Sequence, residues 1–190
     1  MRYKFIYKTI CPTMPRTGSR SLASALTILG YRVCHWSPER LSDVIHGKTP
    51  NPHFRRYDDV DAILDIPNTT FYREIMAAYP SNRIILTLRN EDEWWASIYK
   101  HYIWVRKNLS GTLLDEAIVS QQITFGPIDT NEFLYRKRFR EHQEAILNLD
   151  LPPDRFLSIN ICAGEGWDKL CKWLGSPIPD CPFPRIHEER

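Results

Sequence analysis

The stretch YKTICPTMPRTGSRSLASALTILG, residues 7–30, decides the fold. It opens in a run from Tyr3 to Ile10 that mixes β-branched and aromatic residues and stops at Cys11-Pro12, the pattern of a strand feeding a loop. From Gly18 onward Leu22, Ala25, Leu26 and Leu29 recur at helical spacing, and Gly30 ends the helix. Between the two lies the polar loop CPTMPRTG. At a strand-to-helix junction, backbone N–H groups and the positive end of the helix dipole together hold an anion. Gly18 lets the backbone approach a ligand closely, Thr17, Ser19 and Ser21 offer hydroxyls, and Arg16 and Arg20 bring charge. A Gly/Ser/Arg-rich turn of this kind is also what an ordinary helix-capping loop looks like, so the reading needs a second element. The GxxxxGK[ST] loop of nucleoside-triphosphate enzymes is absent, with neither its glycine spacing nor its lysine. Kinase chemistry is thereby disfavoured.

The second element is NRIILTL, residues 82–88, an apolar-rich run between turn signals that suits a parallel strand buried on both faces. It ends at Arg89. Asn90 caps the next helix, and Glu91, Asp92 and Glu93 occupy its first turn, where they complement the helix dipole. Ser97, eight residues after Arg89, returns toward the strand end after about two turns. Arg89 and Ser97 can then clamp one phosphate at the carboxyl edge of a sheet, where α/β proteins bind their ligands.

Outward from these elements, strands and helices alternate. Tyr31–Trp36 and Asp61–Ile66 read as strands, the latter ended by Pro67, and Thr69 or Thr70 caps a helix running to Tyr79. Helices follow at about Thr112–Gln122 and Asn131–Leu149, then a strand at Arg155–Ile161 and a helix at Glu165–Leu174 stopped by Gly175. The tail from 176 to 190 is proline-rich and extended. With no internal repeat and no linker, the expectation is one α/β domain over 1–190, three layers with a mainly parallel central sheet flanked by helices.

Composition narrows the function classes. The chain has 190 residues, 43% of them hydrophobic, which suits a folded domain and excludes a disordered one. No apolar run is long enough to span a bilayer, and the charged start of the sequence does not suit a secretory signal, so a cytoplasmic protein with no membrane partner is expected. Five cysteines without a CxxC pair and six histidines without ligand spacing suggest neither disulfides nor a metal site. The net charge of +2 gives no nucleic-acid footprint; the basic runs FRRY (54–57) and YRKRFR (135–140) read as solvated faces. Nothing in the pattern favours a monomer over a homo-oligomer.

At the pair Arg89 and Ser97 the sequence resembles the sulfotransferases that use 3′-phosphoadenosine 5′-phosphosulfate (PAPS), and within them a small subgroup with PRTG(T/S)xSL loops. The likeness continues through DAILDIPNTTFYREIMAAYPSNRIILTLRNEDEWWAS and EGWDKLCKWLGSPIPDCPFPRIHE, which together cover most of the chain in the family's order. It implies a P-loop-like fold and PAPS as donor. Arg16, Thr17, Gly18, Ser19, Arg20 and Ser21 would hold the 5′-phosphosulfate, and Arg89 and Ser97 the 3′-phosphate. Arg16 replaces the loop's usual lysine and keeps its charge. Arg20 stands where threonine is frequent, and Ser21 where cytosolic relatives place an adenine-stacking tryptophan, leaving Trp36, Trp167 and nearby aromatics as candidates for that stack.

Sulfuryl transfer needs cations at the leaving phosphate and a base at the acceptor. Arg16 is assigned to the first. Asp65, in Asp-Ile-Pro, stands where cytosolic sulfotransferases carry a histidine, and as a base it would need a pKa raised by burial. His35 matches a subgroup histidine and is the alternative base, titrating in the useful range without tuning. Trp94, Trp95 and Trp104 read as packing, and Cys34 as a small hydrophobe more than a nucleophile. The acceptor site falls to the helical insert between Tyr99 and Leu149, and the length of the chain favours a small-molecule acceptor. Another phosphate-loop enzyme, such as a small kinase, and a non-catalytic nucleotide-binding protein stay open beside the sulfotransferase.

Overall fold

A computed structural model describes residues 7–126 and 131–186. The strands are β1 (Lys8–Cys11), β2 (Val33–His35), β3 (Ala62–Leu64), β4 (Asn82–Thr87) and β5 (Phe156–Ile159). They form one five-stranded sheet in the order β2-β3-β1-β4-β5. Every pairing is parallel. The beginning of the expected first strand, before Tyr7, lies outside the described residues.

Side chains along the strands alternate between two apolar layers, as the period of a strand requires. Cys11, Ala62, Leu64 and Ile85 face Leu22, Ala25 and Leu26 of α1 (Ser19–Ile28) and Leu170 and Cys171 of α7 (Trp167–Leu174). Ile10, Ile63, Ile84 and Leu86 face Tyr72 and Ile75 of α3 (Tyr72–Ala78) and Ile146 of α6 (Glu132–Leu147). Both faces of the sheet are therefore covered, and the three-layer α/β expectation holds. A third cluster joins α4 (Glu91–Asn108), α5 (Gly111–Phe125) and α6 through Trp94, Ile98, Phe125, Tyr135 and Phe139. Between β2 and β3 lie a 3₁₀ turn (Pro38–Leu41) and the short α2 (Ser42–Ile45).

Strand order places the site. From β1 the chain leaves toward β2 on one side, and from β4 toward β5 on the other, so the crevice between the carboxyl ends of β1 and β4 is the topological switch point. The loop at 11–18 and the Arg89–Asn90 turn both empty into it. Asn90 caps α4 as expected, its side chain accepting from the N–H groups of Asp92 and Glu93. The expected threonine cap of α3 is not formed. Phe71 takes the cap position, while Thr69 Oγ1 donates to the Thr13 carbonyl at 2.6 Å and Thr70 Oγ1 meets Thr124 Oγ1 at 2.6 Å. Long-range partners outcompeted the local cap, and both threonines brace the loop or the helical insert instead.

Trp94 does more than pack. It is fully buried and stacked 4.1 Å from Phe139, and its Nε1–H donates to the Pro15 carbonyl at 2.9 Å, pinning the loop to α4. Trp94→Phe keeps most of the ring and leaves that carbonyl without its donor, so it should cost about 1–3 kcal/mol of unfolding free energy. A urea melt showing no loss would contradict the anchoring role.

Candidate active site

Three non-glycine residues among those described hold a left-handed φ: Arg16 (68°), Trp36 (50°) and Asp65 (67°). All three line the same cavity of about 570 Å³ at the carboxyl edge of the sheet. Such conformations cost about 1–3 kcal/mol each and persist where the surroundings enforce them, as at binding sites. Each lies just past a strand, where the chain turns out of the sheet: Arg16 after β1, Trp36 after β2 and Asp65 after β3.

At the phosphate-loop side the structure brings the two expected arginines together. Arg89 donates from Nη1 to the Arg16 carbonyl at 2.6 Å. Arg16 in turn donates from Nε to Ser97 Oγ at 3.0 Å, which brings Ser97 to the same cavity as Arg89. Arg89 Nε is buried without a hydrogen-bond partner among the described residues, with a Glu93 carboxylate oxygen 3.8 Å away. Gly18 caps α1 at φ 96° with no side-chain cap bond, and no acidic residue stands in the first turn of α1. A Cβ on Gly18 would also come within 3.2 Å of Ile161. Glycine is required here twice over, for its conformation and for this close approach.

The hydroxyls of the loop divide. Ser19 lines the cavity. Thr17 is fully buried and points inward, donating to the Met14 carbonyl at 2.6 Å and meeting Thr87 Oγ1 at 2.5 Å. Its side chain shapes the loop, leaving its backbone for a ligand. Ser21 Oγ accepts from the Ile186 N–H at 2.9 Å. Arg20 is exposed on the rim. The tail is thus a wall of the site and not only a drape: Arg185, which lines the cavity, donates to the carbonyls of Ile161 and Gly164 at 2.7 and 2.8 Å. Sequence reasoning missed Arg185, whose neighbours are distant in the chain.

At the start of α1, Asp65 and His35 form a cluster with Ser19. His35 Nε2 is 3.2 Å from Asp65 Oδ2 and 3.3 Å from Ser19 Oγ, while Ser19 donates to Asp65 Oδ2 at 3.0 Å. The Ile66 N–H donates to Asp65 Oδ1 at 2.8 Å. Burial pushes the Asp65 carboxyl up, but the hydrogen bond and charge of His35, the Ile66 N–H and the Ser19 hydroxyl outweigh it and hold the group below its ordinary value. The sequence expectation of a raised Asp65 pKa is corrected accordingly. The three residue types are those of a hydrolase triad, yet one histidine nitrogen serves both partners, whereas a triad engages serine and aspartate from opposite ring nitrogens. Ser19 is consequently not an activated nucleophile. Neither is Cys34, whose sulfur lies 2.5 Å from Ser37 Oγ and whose thiol is pushed up by burial.

The rest of the wall comes from α4 and α5. Trp104, expected to pack in the core, lines the cavity, as does Trp36. The signal for Trp104 was its spacing from Ser97 and His101, which puts the three on one helix face. Trp167 is removed from the candidate adenine stackers: it packs edge-on against Phe183 at 4.9 Å and donates to the Cys181 carbonyl at 2.8 Å under the tail. No three His, Cys, Asp or Glu residues cluster as a metal site among the described residues. In the same residues no helix is long and apolar enough to cross a membrane, and all five cysteines are free.

Fold and site together define a P-loop-like α/β protein with a cavity at its switch point. Residues 8–190 match the model of the sulfotransferase domain family, and the chain belongs to that family. It is similar to the "Ava biosynthesis cluster protein M" of Aspergillus versicolor, with 28% identity over 145 residues, 67% of this chain and 54% of that protein. The chain spans about half the length of this curated relative.

The Asp65 arrangement sets a pH dependence. A carboxyl whose folded pKa lies below its unfolded value of about 3.9 stabilises the fold above that pH and loses the contribution as pH falls through the folded value. The difference in melting temperature between wild type and Asp65→Asn should therefore be largest near neutrality and shrink below about pH 4. A difference independent of pH would contradict an ionised Asp65.

Proposed function

We propose that this chain transfers the sulfuryl group of PAPS, without a metal, to a hydroxyl or amine of a small acceptor. The observation that carries the reading is the convergence of Arg16, Arg89 and the start of α1, which has no side-chain cap, on one cavity that His35 and Asp65 also line. The residues suit the donor: Arg89 Nε is buried with no hydrogen-bond partner among the described residues, and the first turn of α1 carries no acidic residue of its own. The loop from Arg16 to Ser21 would hold the phosphosulfate, mainly through backbone N–H groups at Thr17, and Arg89 the 3′-phosphate. Ser97 positions Arg16.

PAPS supplies an activated sulfuryl group whose bond to the 5′-phosphate oxygen breaks as the acceptor oxygen or nitrogen bonds to sulfur. Arg16 stabilises the negative charge that gathers on the leaving phosphate. The acceptor's proton goes to His35. A carboxylate held below its ordinary pKa is a poor proton acceptor, so Asp65 orients the imidazole and stabilises the imidazolium that forms. The order of the two candidate bases is the reverse of the one suggested by sequence position. Trp36, which lines the cavity, would stack on the adenine or the acceptor.

Transfer from labelled PAPS to a panel of phenols, alcohols and amines tests the reading. Arg16→Ala should lower kcat by about 100- to 1000-fold, and full turnover in that variant would remove its role. His35→Ala should lose kcat while keeping its affinity for 3′-phosphoadenosine 5′-phosphate. Loss of affinity alone would make His35 a donor-positioning residue instead of the base.

A further inference from the structure

The cavity wall contributed by α5 is apolar except at one position. Leu113, Ala117, Gln121 and Phe125 follow each other at four-residue intervals, one face of the helix, and all line the cavity. Gln121 is only 6% exposed, and its side-chain oxygen is buried with no hydrogen-bond partner among the described residues. A buried carboxamide oxygen left unpaired costs free energy that an apolar residue of the same size would not. The neighbouring positions show that the helix readily places apolar side chains on this face. Gln121 is also separate from the machinery already described: α5 carries neither the phosphate loop nor His35 and Asp65. The donor's phosphates are accounted for by the loop and Arg89, and an anion would be repelled by a carboxamide oxygen.

We propose that Gln121 is a specificity residue, accepting a hydrogen bond from a second O–H or N–H group of the acceptor, distinct from the group that receives the sulfuryl. The inference rests on the sulfotransferase reading for what happens at the first group, but not for the binding of the second. The acceptor class is then a compact, largely apolar molecule with two polar groups, such as a diol, an amino alcohol or a hydroxylated amide. Aromatic members fit best, because Trp36, Trp104 and Phe125 supply flat apolar surface in the same cavity. A molecule with a single hydroxyl leaves the buried Gln121 oxygen unpaired. A site built to pair with a donor rejects the analogue lacking it far more strongly than an apolar pocket rejects a missing methylene.

The test compares the isomeric dihydroxynaphthalenes with their monomethyl ethers, by calorimetric binding in the presence of 3′-phosphoadenosine 5′-phosphate and, separately, by transfer from PAPS. Wild type should bind at least one diol about tenfold more tightly than its ether. In Gln121→Leu that ratio should fall to about twofold or less, and in Gln121→Glu, which keeps an acceptor oxygen, it should survive. A ratio near one in wild type, a ratio that persists in Gln121→Leu, or no binding of either partner of any pair overturns the assignment. Because the ratio is read from binding, selective binding without transfer would count against the catalytic proposal alone. Transfer with no preference for the diol would count against Gln121 alone.

Discussion

The hydrogen bond from Arg89 to the Arg16 carbonyl, 2.6 Å across the switch point, is the contact on which the site depends. It ties the end of β4 to a loop residue held in a left-handed conformation, and it does so from a guanidinium whose Nε is buried 3.8 Å from a Glu93 carboxylate oxygen. Ser97 and Trp94 reinforce the tie from α4, through the Arg16 side chain and the Pro15 carbonyl. One helix therefore positions the loop at Pro15 and Arg16. The parallel sheet makes this geometry available, because only at the switch point do the loops after β1 and β4 diverge and leave a crevice.

The sheet and its helices were legible in the chain because hydrophobic periodicity reports burial directly. NRIILTL reads as a central strand, and its residues Asn82–Thr87 form one, wholly buried. Asn90 and the acids after it read as a helix start and form one, because cap and dipole act within a single turn. What sequence could not supply were partners far apart in the chain. Thr69 and Thr70 look like caps but bond across 56 and 54 residues. Arg185 reaches the site only because the tail folds back over α1 through Ser21. Asp65 looked like a base awaiting a raised pKa, and only the fold shows His35, Ser19 and the Ile66 N–H arriving together at its two oxygens.

The two ends of the cavity obey different rules. The loop end is built from backbone, glycine and guanidinium groups, the groups that on the proposed reading hold the donor. The α4–α5 end is built from side chains on a helix face, where Trp104 and Gln121 sit at positions that any residue type can occupy without disturbing the sheet. Family membership accordingly speaks to the first end. On the proposed reading, the choice of acceptor falls to the second.

The central claim, that the switch point holds a 3′-phosphorylated adenine nucleotide, is tested most directly by calorimetric titration with 3′-phosphoadenosine 5′-phosphate, adenosine 5′-monophosphate and ATP with magnesium, on wild type and Arg89→Ala. Micromolar binding of the bisphosphate, about tenfold or more tighter than the monophosphate in wild type and losing that preference in Arg89→Ala, is the expected result. Equal affinity for the bisphosphate and the monophosphate, or tighter binding of ATP with magnesium, would contradict the account.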